Sequence, residues 1–285
     1  MTMPAILDRE SFATAHHKQR RKLHKLILTN TGWDALYDEA AKNLKQGDAL
    51  SLKATNVEAR IAFAETMHEE FSSYLGRNPE FRAFWVTIAP NTAITSLNGD
   101  HLNAIRCLKR CLFRFIEFDY WGLIEPGYFP RGGFNGTGKK TVSWHAHLFI
   151  WVRSGIQTAE LAKKIQEINL QNADKMPLGL SAAYCVEHQL EAILKRVWYA
   201  CKAPLKQYSI APNRNGRFKI QKAELRPGQA AELHNILWDT YIDDLLVGRG
   251  EGNEILKNAA YQVKRKLKTA ENKRQERLRL LAGII

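Results

Sequence analysis

Two histidines one residue apart, His145 and His147, interrupt the apolar run Trp144-His145-Ala146-His147-Leu148-Phe149-Ile150-Trp151-Val152. Side chains of a strand alternate between faces, so both imidazoles project from one side while Ala146 and Leu148 project from the other. Imidazole binds metal through a neutral ring nitrogen, and a strand in mid-sheet is a rigid platform for it. The pair alone is a weak signal, because nine histidines in 285 residues give roughly 0.3 such pairs by chance. Its bland reading is two core-edge histidines with hydrogen-bonded rings.

A third ligand comes from upstream. A strand pattern runs from Phe118 to Phe129, and the stretch from Pro130 to Gly138, rich in glycine, separates it from the histidine strand. Glycine and asparagine between two apolar runs signal a hairpin with a long loop. Folded about Asn135, that hairpin sets Glu125 opposite His145. Two nitrogens and a carboxylate oxygen, completed by water, make a site for a hard divalent cation. The alternative is an exposed charge on an edge strand.

The third group is a phenol. A helix pattern from about Gln189 to Cys201 carries Trp198-Tyr199-Ala200-Cys201-Lys202 and stops before Pro204. Tyr199 and Lys202 are three apart, and Lys195 lies one turn earlier on the same side. A phenol with a reference pKa of about 10 is a poor nucleophile at neutral pH. Ammonium groups and a divalent metal would favour the phenolate, which could then attack a phosphodiester. The same Tyr-x-x-Lys spacing recurs at Tyr261 and Lys264, so spacing decides nothing by itself. Tyr199 is preferred because a predicted strand feeds its helix and it follows the histidine pair; Tyr208 is read as a loop residue and set aside.

The elements that must hold these groups read in order. Residues 1–80 form a helical N-terminal extension, with a helix from about Val57 to Leu75 and a basic run, His16 to Lys25, that is either a solvated face or a phosphate-contacting arm. From Phe81 to Pro90 the composition is that of a buried strand. An amphipathic helix from about Gly99 to Phe115, the hairpin, a helix from Thr158 to Leu170, a strand from Ser181 to Glu187 and the tyrosine helix follow. Strand, helix, strand, strand, helix, strand predicts an α+β domain over 81–205. Its sheet is expected to be antiparallel, covered by helices on one face, of the ferredoxin-like kind. Cys107 and Cys111 read as small core residues rather than a zinc pair with His101. Residues 206–285 read as a basic helical C-terminal region.

The chain carries a net charge of +13 and a pI near 9.6, which points to nucleic acid or an anionic surface as partner. No apolar run approaches the roughly 20 residues that cross a bilayer. Asp8, Arg9 and Glu10 near the start lack a signal-peptide core, so a cytoplasmic location is expected, with the four cysteines as reduced thiols.

Val86-Thr87-Ile88, His145-Ala146-His147 and Tyr199-Ala200-Cys201-Lys202, in that order, resemble the HUH endonuclease superfamily, and most of all its single-tyrosine rolling-circle replication initiators of plasmids and phages. The resemblance covers roughly Phe81 to Leu205. It implies a nicking domain in which His145, His147 and Glu125 hold Mg²⁺ or Mn²⁺. Tyr199 would cut one DNA strand to leave a 5′-phosphotyrosyl link and a free 3′-hydroxyl, with Lys202 its helper. It implies single-stranded and origin duplex DNA as partners, and host helicase and polymerase as associates. The position four after Tyr199 is Ala203, so the two-tyrosine arrangement is absent. Strand closure would then need a second subunit of a homodimer or another residue. Ala146 replaces a bulky hydrophobe, which its outward direction tolerates.

DNA contacts outside the site are expected from Lys195, from Phe134, Lys139 and Lys140 on the hairpin, and from Lys264, Arg265, Lys266 and Lys268 on a final cationic helix, Ile255 to Leu281. That helix alternatively packs on the core through Val263, Leu267 and Leu278. An HUH transposase or relaxase shares the chemistry, although no third histidine stands near the pair. A non-catalytic DNA-binding repressor, or a metal hydrolase of another phosphate ester, completes the set of readings.

Overall fold

The computed structural model describes residues 6–29, 40, 41, 44, 52–130, 139–176, 180–212, 215 and 218–281. The chain is α+β. Helices α1 (Arg9–Ile27) and α2 (Val57–Arg77) precede strand β1 (Arg82–Ile88). Then come β2 (Ile94–Ser96), α3 (His101–Leu112), β3 (Asp119–Phe129), β4 (Thr141–Val152), α4 (Gly155–Asn172), β5 (Ala183–His188) and α5 (Leu190–Cys201). A ribbon of β6 (Lys206–Pro212) and β7 (Phe218–Glu224) leads to α6 (Pro227–Leu237), the single turn α7 (Ile242–Leu245), β8 (Leu246–Arg249) and the long α8 (Glu251–Leu281). Short polar side chains begin several helices by accepting amide N–H groups that lack a partner in the first turn: Asp8 for α1, Asn56 for α2, Asp100 for α3 and Ser154 for α4.

The strand order is β5-β1-β4-β3-β6-β7, with β2 added to β4 and β8 to β3. From β5 to β3 the pairing is antiparallel, as expected. The sheet as a whole is mixed, because β6 joins β3 in parallel through one pair, Tyr128 and Gln207. Gly122 keeps β3 tight against β4: a Cβ there would collide with the His147 carbonyl.

Helices cover both faces, not one. Phe84, Val86, Ile88, Ile124, Ala146, Leu148 and Ile150 pack on α3 and α4. The opposite face, with Trp85, Trp121, Leu123, Phe149 and Trp151, packs on α1, α2, α5 and α8. Burial of both faces explains why β4 is an almost unbroken apolar run in which only the two histidines stand out. The helices near the two ends of the chain supply the second layer, which a pattern read within 81–205 does not contain. Among the described residues, no helix is long and apolar enough to cross a membrane.

Candidate metal and tyrosine site

The β3–β4 ladder pairs Glu125 with His145 and Leu123 with His147, so the hairpin register places the carboxylate on the histidine face. Nε2 of His145 lies 3.0 Å and Nε2 of His147 3.3 Å from Glu125 Oε1. The far side of each ring meets an oxygen: His145 Nδ1 is 3.2 Å from the Ser143 carbonyl, and His147 Nδ1 is 3.0 Å from the Thr87 hydroxyl on β1. A proton on Nδ1 of each ring, donated to those oxygens, turns both Nε2 lone pairs on the carboxylate. Three acceptors then converge, which a cation satisfies. One ligand atom from each residue lies within 4.8 Å of the others. Trp85 stacks on the His147 ring at 4.6 Å between centroids and restrains its tilt. By donor chemistry, and with the Ser143 and Thr87 oxygens orienting both rings, Glu125, His145 and His147 fit a metal ion.

Lys202 reaches the same carboxylate, with Nζ 2.5 Å from each Glu125 oxygen. Both side chains are about 95% buried. Burial opposes ionisation of Glu125, but the Lys202 ammonium outweighs it, joined by hydrogen bonds from the two imidazoles in the alternative tautomer that carries the proton on Nε2, and the carboxyl is held well below its usual range. Burial likewise pushes the His147 imidazole down to about 3, so it is neutral and able to ligate at physiological pH.

Tyr199 stands beside this cluster. Its ring is 5.4 Å from that of His147 and 4.2 Å from Lys202 Nζ, and its hydroxyl is 3.0 Å from Lys222 Nζ on β7. The Lys202 charge lowers the phenol's pKa against the opposing effects of burial and Glu125, and Lys222 adds to the lowering. Tyr199, both histidines, Tyr208, Arg196 and Lys222 line one cleft of about 480 Å³.

The N-terminal helices fix the end of the tyrosine helix. Helix α5 stops at Cys201, and Arg60 of α2, itself buried, donates from Nη1 to the carbonyls of Cys201 at 3.0 Å and Lys202 at 3.2 Å. A cation at a helix C-terminus satisfies carbonyls that have no intrahelical donor. His16 of α1 accepts the Ala203 N–H on Nε2 at 2.8 Å and donates Nδ1–H to the Phe12 carbonyl at 2.7 Å. Lys202 and Tyr199 are thereby held from behind by α1 and α2.

Other expected residues lie elsewhere. Lys195 points outward and pairs with Glu191 at 2.5 Å; the α5 cation that reaches the cleft is Arg196, whose guanidinium sits 5.8 Å from the Trp85 ring centroid. Phe134 falls outside the described residues. Lys139 is exposed, and Lys140 pairs with Glu232 of α6. On α8, Lys264 faces Asp243 at 3.7 Å, Arg265 lies over Tyr261, Lys266 bonds Thr66 and Glu69 of α2, and Lys268 is exposed. Lys195, Lys139, Lys140, Lys264, Arg265, Lys266 and Lys268 do not line the cleft. Tyr208 is on a strand rather than a loop, and its buried hydroxyl is driven well above the usual phenol range by burial, Glu125 and Tyr199.

Lys222, Arg196, Thr87, Arg60 and Tyr208 were not assigned from sequence. A signal for the ribbon exists: Asn215-Gly216 stands between two alternating runs, the dipeptide most typical of a tight hairpin. No family model, curated protein or solved structure matches the chain.

Proposed function

We propose that this protein is a metal-dependent nicking and strand-transfer enzyme for single-stranded DNA, of the HUH kind, that initiates rolling-circle replication. One observation carries the reading: a phenol flanked by two ammonium groups shares a cleft with the two histidines of a Glu-His-His cluster whose carboxylate is buried behind them. The order β1-α3-β3-β4-α4-β5, with α3 and α4 on one face and strands arranged β5-β1-β4-β3, supports a ferredoxin-like core. The net charge of +13 suits a polyanionic substrate.

His145, His147 and Glu125 would hold Mg²⁺ or Mn²⁺. A divalent cation bound there supplies charge that neutralises the non-bridging oxygens of the scissile phosphate. Tyr199 loses its proton to solvent, favoured by Lys202 and Lys222. Its Oη forms a bond to phosphorus, the bond from phosphorus to the 3′-oxygen breaks, and that oxygen takes up a proton. The product is a 5′-phosphotyrosyl link and a 3′-hydroxyl that can prime a polymerase. Because the ester conserves the broken bond, a 3′-hydroxyl can reverse the step without ATP. Lys202, bonded to Glu125 and lying under the Tyr199 ring, ties the ligand cluster to the nucleophile. A replicon in the cytoplasm, its origin duplex, and the host helicase and polymerase are the setting this activity requires.

The test is incubation of the full chain with Mn²⁺ and single-stranded oligonucleotides tiled across its own replicon, followed by denaturing electrophoresis. A covalent protein–DNA band is expected, lost in Tyr199→Phe and retained in Tyr261→Phe. A band that persists in Tyr199→Phe moves the nucleophile. Binding with no band in the parent protein returns the chain to the repressor reading.

A further inference from the structure

The ribbon of β6 and β7 touches the site and carries apolar groups that its own fold does not use. Its register pairs Tyr208 with Lys222, Ile210 with Ile220, and Pro212 with Phe218, so these six share one face. Tyr208, Ile220 and Lys222 of that face line the cleft. The other face presents Gln207, Ser209, Ala211, Lys219, Gln221 and Ala223, without a large apolar side chain. Starting at the Tyr199 hydroxyl, β7 therefore offers Lys222, then Ile220, then Phe218, each about 7 Å from the last by strand geometry. Ile220 is 42% and Phe218 41% exposed.

Exposed apolar side chains in a row, continuous with a charged cleft, mark a binding surface more than a packing one. Its charge selects the occupant. On this face Lys206 and Lys222 are cations, and the one acid among the described ribbon residues, Glu224, is paired with Lys18 at 3.1 Å and Lys22 at 2.9 Å of α1; Lys219 lies on the other face. A cationic strip with an aliphatic and an aromatic step suits unpaired bases, whose faces stack on such groups while lysines meet the phosphates. Paired bases in a duplex do not present those faces.

Building on the nicking reading of the cleft, we infer that this face of the ribbon is the track for the single strand beside the scissile phosphate, with bases held on Ile220 and Phe218. It is separate from the duplex-binding role expected of α8.

The test uses the full chain in EDTA, with fluorescence anisotropy on labelled oligothymidylate and on a duplex of mixed sequence. Both substituted side chains are substantially exposed, so Phe218→Ala with Ile220→Ala is expected to fold as the parent does, checked by circular dichroism. Loss of base stacking should weaken oligothymidylate binding about tenfold or more. Duplex affinity should stay within about twofold, and Phe218→Trp should match or exceed the parent. Oligothymidylate affinity unchanged in the double variant, or an equal loss on duplex, overturns the track. The covalent assay separates the two claims. Adducts that form with ribbon-independent binding defeat the track alone; ribbon-dependent binding with no adduct defeats the nicking reading and leaves a single-strand binding surface.

Discussion

One face of the central sheet has two halves built from the same strands. Toward the start of β3 and the end of β4 it carries Trp121, Phe149 and Trp151, fully packed beneath Phe71 at 5.3 to 5.5 Å between ring centroids. Toward the end of β3 and the start of β4, two to four residues away, it carries Glu125, His145 and His147, with Lys202 beside them. Both halves are buried except for His145, which is partly exposed to the cleft. The first gains stability by removing apolar area from water. The second pays desolvation for every group and persists only because each has a partner. Folding does not require that second half, and costly charges gathered in a cleft are where chemistry is expected.

Substitutions that remove one partner give the largest stability effects and should separate the halves. Glu125→Ala strands the Lys202 ammonium in the interior and should cost about 3–5 kcal/mol in urea unfolding. It should also abolish Mn²⁺ binding by calorimetry. Glu125→Ala combined with Lys202→Met removes both charges and should recover much of the lost stability without recovering the metal. Phe149→Ala should cost a similar 3–5 kcal/mol through its cavity, yet leave Mn²⁺ affinity near the parent's. If Glu125→Ala leaves stability unchanged, the halves do not differ in the way argued.

Acid should act on the polar half and spare the apolar one. Burial lowers the pKa of His147 and of His16 to about 3, and that of His234 to about 4. A folded-state pKa below the unfolded value means that the unfolded chain takes up protons first. The stability these neutral rings contribute is therefore full above about pH 6.5 and is lost as pH falls toward the folded pKa. From pH 7 to pH 5 each should cost about 2 kcal/mol. Glu125, depressed in the folded state, holds its contribution over that interval and loses it only at lower pH. Urea titrations at both pH values should show the loss, His147→Phe should remove its share of the pH dependence, and Phe149→Leu should leave the dependence intact.

Much of the polar half was legible in the sequence because it is local. A glycine-rich hairpin centred near Asn135 fixes the pairing of 125 with 145, and strand alternation fixes the shared face of the histidines. The cover of the other half was not legible, since an amphipathic helix records that it packs but not on what. The parallel pairing of β6 rests on one contact far along the chain and leaves no local pattern. Lys195 and Arg196 stand four and three residues before Tyr199, and helical spacing admits either beside it. The Glu191 pair draws Lys195 away, and the Trp85 ring receives Arg196. Lys222 needed the ribbon to be placed before its contact with Tyr199 could be seen.

The smallest expected effect is the sharpest on function. Thr87→Val keeps the volume of the side chain and removes only the oxygen 3.0 Å from His147 Nδ1. In the apolar half a change of one atom at constant volume would register as stability or as nothing. Here it should lower Mn²⁺ affinity by about tenfold, because the partner on the far side of a ligating imidazole sets its tautomer and aim. Global stability should fall by only about 1 kcal/mol, the scale of one hydrogen bond. Calorimetric titration with Mn²⁺, beside urea unfolding of the same sample, reads both. An unchanged affinity would mean that the Trp85 stack, at 4.6 Å, aims the His147 ring unaided. The hydroxyl would then only fill space, and the boundary between the two halves would lie one strand closer to β4.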